Sequence, residues 1–251
     1  MGLQTVDRAV AVLHLLSGQG PGGMRLVDVQ GKLKLSKPTA HRLLMSLVSH
    51  GLVDQDETSK RYRLGSRLQV LAWSVPQRRP DFGRLATPAA QRLAQRSGDT
   101  VFVMACDGLE SVCVGRETGS FPIKALTIDI GTRRPLGVGA GGLAVLGSMP
   151  PEEARRAIDA VAPKLKEYPL TSPEVILRSA DQARRLGYSV SDGQVATGVR
   201  AVAVAVLDPR GVPAGSIGIA AIRSRMMPDR IKELVPWLLE ERAEIERLLA
   251  N

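Results

Sequence analysis

Ser36-Lys37-Pro38-Thr39-Ala40-His41-Arg42-Leu43-Leu44 gathers hydroxyls, cations and an imidazole around an apolar stripe. Ala40, Leu43, Leu44, Leu47 and Val48 recur at the spacing of one helix face, so that face is buried and Lys37, Thr39, His41 and Arg42 stand on the other side. Ser36 is a good N-cap, and Pro38 is tolerated in the opening turn. On such a helix Arg42 can reach guanine edges in a major groove, Thr39 a thymine methyl or a phosphate, and Ser36 with its adjacent amides a phosphate. Taken alone, the stripe more often means an ordinary amphipathic helix with a solvated charged face. The flanking elements therefore decide.

Upstream, Val6, Ala9, Val10, Leu13 and Leu16 form a first amphipathic stripe ending in the Gly/Pro stretch 18–23. Leu26, Val27, Val29 and Leu33 make a short positioning helix, and Lys34-Leu35-Ser36 the tight turn after it. Downstream, Leu52-Val53 and Tyr62-Arg63-Leu64 flank the polar segment 54–61, which fits a hairpin carrying Lys60, Arg61 and Arg63 near a phosphate backbone or minor groove. The order describes a helix-turn-helix with a wing. It makes Ser36, Lys37, Thr39, His41, Arg42, Lys60, Arg61 and Arg63 the candidate contacts to double-stranded DNA.

Charge is an independent indicator. Of a net +9, residues 1–97 hold 15 Lys+Arg against 6 Asp+Glu, whereas residues 98–251 hold 19 of each. A polyanion-binding front module joined to a neutral rear one produces that asymmetry. A membrane surface is the rival partner for a basic region, but the Trp/Phe-rich apolar face of an interfacial helix is missing.

Several classes are excluded. The 251 residues, 44% hydrophobic and 24% charged, suit a globular chain with two modest cores. No apolar run approaches a membrane span and the first residues lack a signal-peptide layout, so a cytoplasmic location is expected. Cys106 and Cys113 have no nearby His and read as small core residues rather than a zinc site; no metal or other cofactor is expected. With aromatics at 3%, single-strand binding by base stacking is disfavoured.

After the wing, Gly65-Ser66 precedes a linker helix from Arg67 to about Val75, broken by Pro76-Gln77-Arg78-Arg79-Pro80. The reading is thus a winged helix-turn-helix domain over 1–66, a linker over 67–81 that would transmit ligand state, and an effector-binding and oligomerisation domain over 82–251. In that last part a helix carrying Leu85, Ala89, Leu93 and Ala94 stops at Gly98. Hairpins are expected about Asp107-Gly108 and about Asp208-Pro209-Arg210-Gly211, with a further strand over 123–130. Helices are expected over 142–148, 151–161, 173–186 and 228–249. This is an α+β domain, an antiparallel sheet with helices packed on it.

These residues together resemble the isocitrate lyase regulator (IclR) family of bacterial transcription factors over nearly the whole chain. The front part is similar in Ser36 to Leu44, Gly51-Leu52-Val53 and Tyr62-Arg63-Leu64-Gly65. The rear part is similar in Gly131-Thr132-Arg133-Arg134-Pro135-Leu136, Gly139-Ala140-Gly141-Gly142-Leu143-Ala144, Gly187-Tyr188-Ser189 and Gly198-Val199-Arg200-Ala201-Val202-Ala203. Two positions depart from the pattern: Gln194 stands where a glutamate is usual, and Leu207 where an aromatic residue or histidine is. The resemblance implies a GAF-like ligand pocket and DNA binding as a homodimer or pair of dimers. It implies that Gly139 and Ala140 at a helix N-terminus, Ser191 and Asp192 in a loop, and Val199, Ala201, Gly218 and Ala220 on the sheet line that pocket. Free amides suit a carboxylate and small sheet residues leave room for an apolar body, so a small organic acid, aromatic or medium-chain, is the expected effector. Arg133 is a candidate partner for its carboxylate, against the blander role of an exposed salt bridge.

Rival readings carry less. Gly137-Val138-Gly139-Ala140-Gly141-Gly142 matches a dinucleotide fingerprint, but no buried strand precedes it and no parallel alternation surrounds it, so a tight loop entering a helix is expected. His14, His41 and His50 all lie in the front part and no hydrolase or phosphate-loop motif occurs, so an enzyme is not expected. The remaining alternative is a ligand-binding or protein-interaction module whose winged helix does not read DNA sequence.

Overall fold

The computed structural model describes residues 4–17, 19, 22–73 and 81–251. Two compact units divide the chain, Met1–Arg78 and Arg79–Asn251. The proline-flanked break at 76–80 and part of the 18–23 turn lie outside the described residues.

The first unit holds α1 (Gln4–Ser17), α2 (Leu26–Leu33), α3 (Lys37–Ser49), β1 (Val53–Gln55), β2 (Tyr62–Leu64) and α4 (Arg67–Trp73). Its core joins Val12, Leu16, Val29, Leu44 and Leu47 to Met24, Val53 and Tyr62 of the wing. The buried line of α1 is rotated from the expected stripe: Val12 and Leu16 are buried, while Val6 and Val10 are exposed. Between α2 and α3, Lys34 takes a left-handed backbone at φ 51°, which makes the turn tight enough for the two helices to cross. Antiparallel β1 and β2 form the wing, extended by an isolated bridge from Met24 to Tyr62.

The second unit starts with α5 (Phe82–Ser97), capped by Asp81 and stopped by Gly98 in the left-handed region. It continues with β3 (Thr100–Asp107), β4 (Glu110–Thr118), β5 (Arg133–Pro135), α6 (Gly139–Ser148), α7 (Pro151–Leu165) and α8 (Pro173–Leu186). Last come β6 (Ser189–Asp192), β7 (Val199–Leu207), β8 (Pro213–Ile222) and α9 (Pro228–Leu249). The six strands pair antiparallel in the order β5-β4-β3-β8-β7-β6.

Residues that alternate along a strand face opposite sides, and here the two faces differ in kind. Toward α5 and α9 the sheet presents Val101, Val103, Val202, Val204, Val206, Ile217 and Ile219, which pack with Leu93, Leu234 and Leu238. The other face presents Ala201, Ala203, Ala205 and Ala220 with Phe102 and Met104. Against this low face α6 sets Ala140 and Ala144, while its Leu143, Val145 and Leu146 turn to α7 and α8. α6 is thus buried on both sides, which is why it is apolar all round.

The strand expected over 123–130 does not form. That segment crosses the low face as a loop, with Ala125 and Ile128 buried. Side chains take its backbone groups in place of a ladder: Arg116 donates to Ile128 O, Arg134 to Thr127 O, and Ala125 N donates to Thr100 Oγ1. The fifth strand is Arg133–Pro135 instead, and Ser191 and Asp192 sit on β6 rather than in a loop.

Candidate functional site

In the first unit the N-terminus of α3 is organised by Ser36. Its Oγ accepts from Thr39 N at 3.4 Å and lies 2.8 Å from Thr39 Oγ1. Ala40, Leu43, Leu44 and Leu47 are buried, and Lys37, His41 and Arg42 are exposed, on a helix that carries no carboxylate. At the wing, Asp56 Oδ1 accepts from both Ser59 N and Ser59 Oγ, which turns the chain so that Lys60 projects with φ 56°. Lys60 and Arg63 are exposed. Arg61 differs, because its guanidinium donates to Gly23 O at 3.0 Å and so ties the wing to the segment before α2. The unit 1–78 holds 11 Lys+Arg against 5 Asp+Glu, six of the nine excess charges.

The second unit contains a cavity that opens to solvent. Its floor is the low face of the sheet: Phe102, Met104, Ala201, Ala203, Gly218 and Ala220. Its walls are Thr127 and Ile128 from the crossing loop and Val195 and Ala196 from the β6–β7 connection; Arg134 and the N-terminus of α6 occupy one end. The β6–β7 connection is bracketed by Gly193 (φ 72°) and Gly198 (φ 82°), which let four residues fold back over the opening. Of the residues named for this pocket from sequence, Gly139, Ala140, Ser191, Val199, Ala201, Gly218 and Ala220 are brought together around it. Asp192 is not: its carboxylate is held by Arg200 at 2.6 Å and Arg223 at 2.7 Å, which keeps its pKa below the ordinary value, the Arg200 hydrogen bond contributing most.

Two features of the polar end matter chemically. Val138, the N-cap of α6, has no side-chain cap hydrogen bond, so the first-turn amides face the cavity without an internal acceptor. Beside them stands the half-buried guanidinium of Arg134, whose Nη1 lies 3.9 Å from where a Cβ on Gly139 would be. It donates to Thr127 O at 3.1 Å, and among the described residues no carboxylate lies within salt-bridge distance of it. Burial pushes its pKa down, opposed by the nearby Tyr168 hydroxyl. Helix dipole and guanidinium both favour an anion here. The opposite end, about Val199, Ala201 and Ala220, is apolar.

Arg133, the arginine singled out from sequence, bonds Asp107 at 2.6 Å and Glu110 at 2.7 Å, with Lys164 completing the cluster. Sequence reasoning missed Arg134, together with Phe102, Met104, Thr127 and the 195–196 wall. The run 137–142 is a packing device: Gly137 has φ +89°, and a Cβ there would lie 2.4 Å from Ile176 Cγ2. Cys113 is fully buried and its thiol pKa is pushed up to about 11 by that burial. No group of three or more His, Cys, Asp or Glu among the described residues could hold a metal ion, and no helix there is long and apolar enough to cross a membrane.

Comparison with known proteins agrees with both halves. Residues 5–57 match the IclR helix-turn-helix domain, and residues 78–247 the C-terminal domain of the bacterial transcriptional regulator IclR. The HTH-type transcriptional repressor AllR of Klebsiella pneumoniae is 31% identical over 232 residues, 91% of this chain and 84% of that protein. The crystal structure of the Thermotoga maritima IclR superposes with a TM-score of 0.73 at 25% identity, covering all of both chains. An IclR homologue from Microbacterium hydrocarbonoxydans, crystallised with 4-hydroxybenzoate, superposes at 0.68 with 22% identity over 98% of each chain. With both domain models matched along its length, the chain belongs to the IclR family of bacterial transcriptional regulators.

Proposed function

We propose that this regulator senses a small organic acid in the cavity of its second unit and adjusts its hold on a DNA operator accordingly. The observation that carries the reading is Arg134, a half-buried cation with only neutral oxygens as partners, at the charged end of a chamber lined mainly by apolar residues. A carboxylate set between that guanidinium and the first-turn amides of α6 supplies the missing counter-charge. An aromatic or medium-chain body then lies on Ala201 and Ala220, whose small side chains leave room. The 4-hydroxybenzoate in the Microbacterium hydrocarbonoxydans protein is an acid of this class in a protein of the same fold.

The operator is bound by Lys37, His41 and Arg42 of α3, with Lys60 and Arg63 of the wing on the backbone. Pairing of two copies, or of two such pairs, matches a two-fold operator. Gel shifts of the chain's own upstream region test the whole reading. Benzoate, 4-hydroxybenzoate and octanoate are titrated in turn, with benzamide as the uncharged control. At least one acid changes the apparent DNA affinity and benzamide does not. Indifference to every carboxylate would remove the effector assignment and leave the DNA-binding one standing.

A further inference from the structure

The outward side of α3 carries one large apolar residue. Leu43, Leu44 and Leu47 are 8%, 0% and 6% exposed, whereas Met45 is 41% exposed. At 100° per residue Met45 falls in the same outward sector as Arg42 and Ser49, opposite the buried stripe. A single surface methionine is ordinary on most helices. Here its neighbours change its meaning. Ser49 Oγ donates to Ser46 O at 2.8 Å, and the Thr39 hydroxyl is engaged with Ser36 Oγ, so two polar groups of the helix are already partnered within it.

The major groove offers one apolar feature, the C5 methyl of thymine. Methionine is long, unbranched and adaptable, which suits it to reach such a group from a helix axis held off by the backbone. Resting on the DNA-binding reading of α3, we propose that Met45 is a specificity residue that covers a thymine methyl within one or two base pairs of the base met by Arg42. The i, i+3 step along the helix advances about 4.5 Å, comparable to the rise between base pairs.

Uracil retains every hydrogen-bonding group of thymine and lacks only the methyl, so it isolates this contact. An operator is first selected from random duplexes with the full-length protein, and each thymine is then replaced singly by uracil. Wild-type protein loses about fourfold affinity at one thymine per half-site, the weight of one buried methyl. Met45→Ala binds the thymine and uracil duplexes equally, and Met45→Gln, which keeps length and helix propensity, likewise ignores the methyl. A wild-type protein indifferent to every single uracil, or a Met45→Ala protein with an undiminished uracil penalty at the same base, overturns the proposal. Failure of the selection to enrich any sequence overturns the DNA reading beneath it, and is distinguishable because no operator emerges at all.

Discussion

Arg133 and Arg134 are adjacent on β5 and serve opposite environments: the first is ion-paired with Asp107 and Glu110, the second faces the cavity with only neutral oxygens beside it. Strand geometry alone enforces this division, since consecutive side chains leave opposite faces. The two arginines therefore make a matched pair of variants. Arg134→Ala is expected to weaken binding of the recognised acid by about 1.5–3 kcal/mol, tenfold or more, by removing a charge-assisted hydrogen bond. Arg133→Ala is expected to change it less than twofold. Calorimetric titration of the full chain with the acid found by gel shift reads both, and equal effects would show that neither arginine holds the ligand.

Gly137 has no tolerance for a side chain. Its φ of +89° and the 2.4 Å approach of Ile176 Cγ2 to a Cβ position combine backbone strain with overpacking. Gly137→Ala should cost about 2–4 kcal/mol, visible as an earlier urea transition of the second unit. Gly187→Ala is the control, because nothing lies within 4 Å of its Cβ position and only its φ of +78° is strained; its cost should be smaller, about 1 kcal/mol.

On the wing, Lys60 and Arg61 are neighbours of like charge but different engagement. Lys60→Ala should weaken binding to all DNA sequences alike and lower the slope of log K against log salt by about 0.9, one phosphate contact. Arg61→Ala also loses the bond to Gly23 O, so it should lower the melting temperature of the protein without DNA, which Lys60→Ala leaves unchanged. Differential scanning calorimetry alongside filter binding separates the two.

Asp192 predicts a pH dependence. Hydrogen bonds from Arg200 and then Arg223 hold its pKa below 3.8, so its ion pairs contribute fully above 3.8 and are lost as pH falls toward the depressed value. Asp192→Asn should lower stability near neutrality by about 1 kcal/mol, the upper end for a partly exposed pair. The gap from wild type should narrow in urea melts as pH is taken from 6 to 3. Acid binding should change little, because the carboxylate is engaged away from the cavity lining.

The elements with strong local signals were readable from sequence. Ser172, Pro173 and Gly187 delimit α8 at the expected residues, and Ser36 with Pro38 opens α3. Segment 123–130 was not, since Leu126, Ile128 and Ile130 alternate as strand residues do, while Arg116 before the segment and Arg134 after it claim its carbonyls. Missing β5 in turn concealed which of two consecutive arginines faces inward. The small residues of the cavity floor were accessible through resemblance to a family. Its charged end depended on a register that only the paired strands define.

The unequal faces of the sheet have an evolutionary corollary. Along β7 and β8, positions that determine how firmly the scaffold holds alternate one by one with positions that determine the volume and outline of the chamber. A lineage can add or remove a methyl on Ala201 or Ala220 to admit a different metabolite while Val202 and Ile219 next door stay as they are. Chemical preference and architectural integrity are thereby free to drift separately within the same two strands.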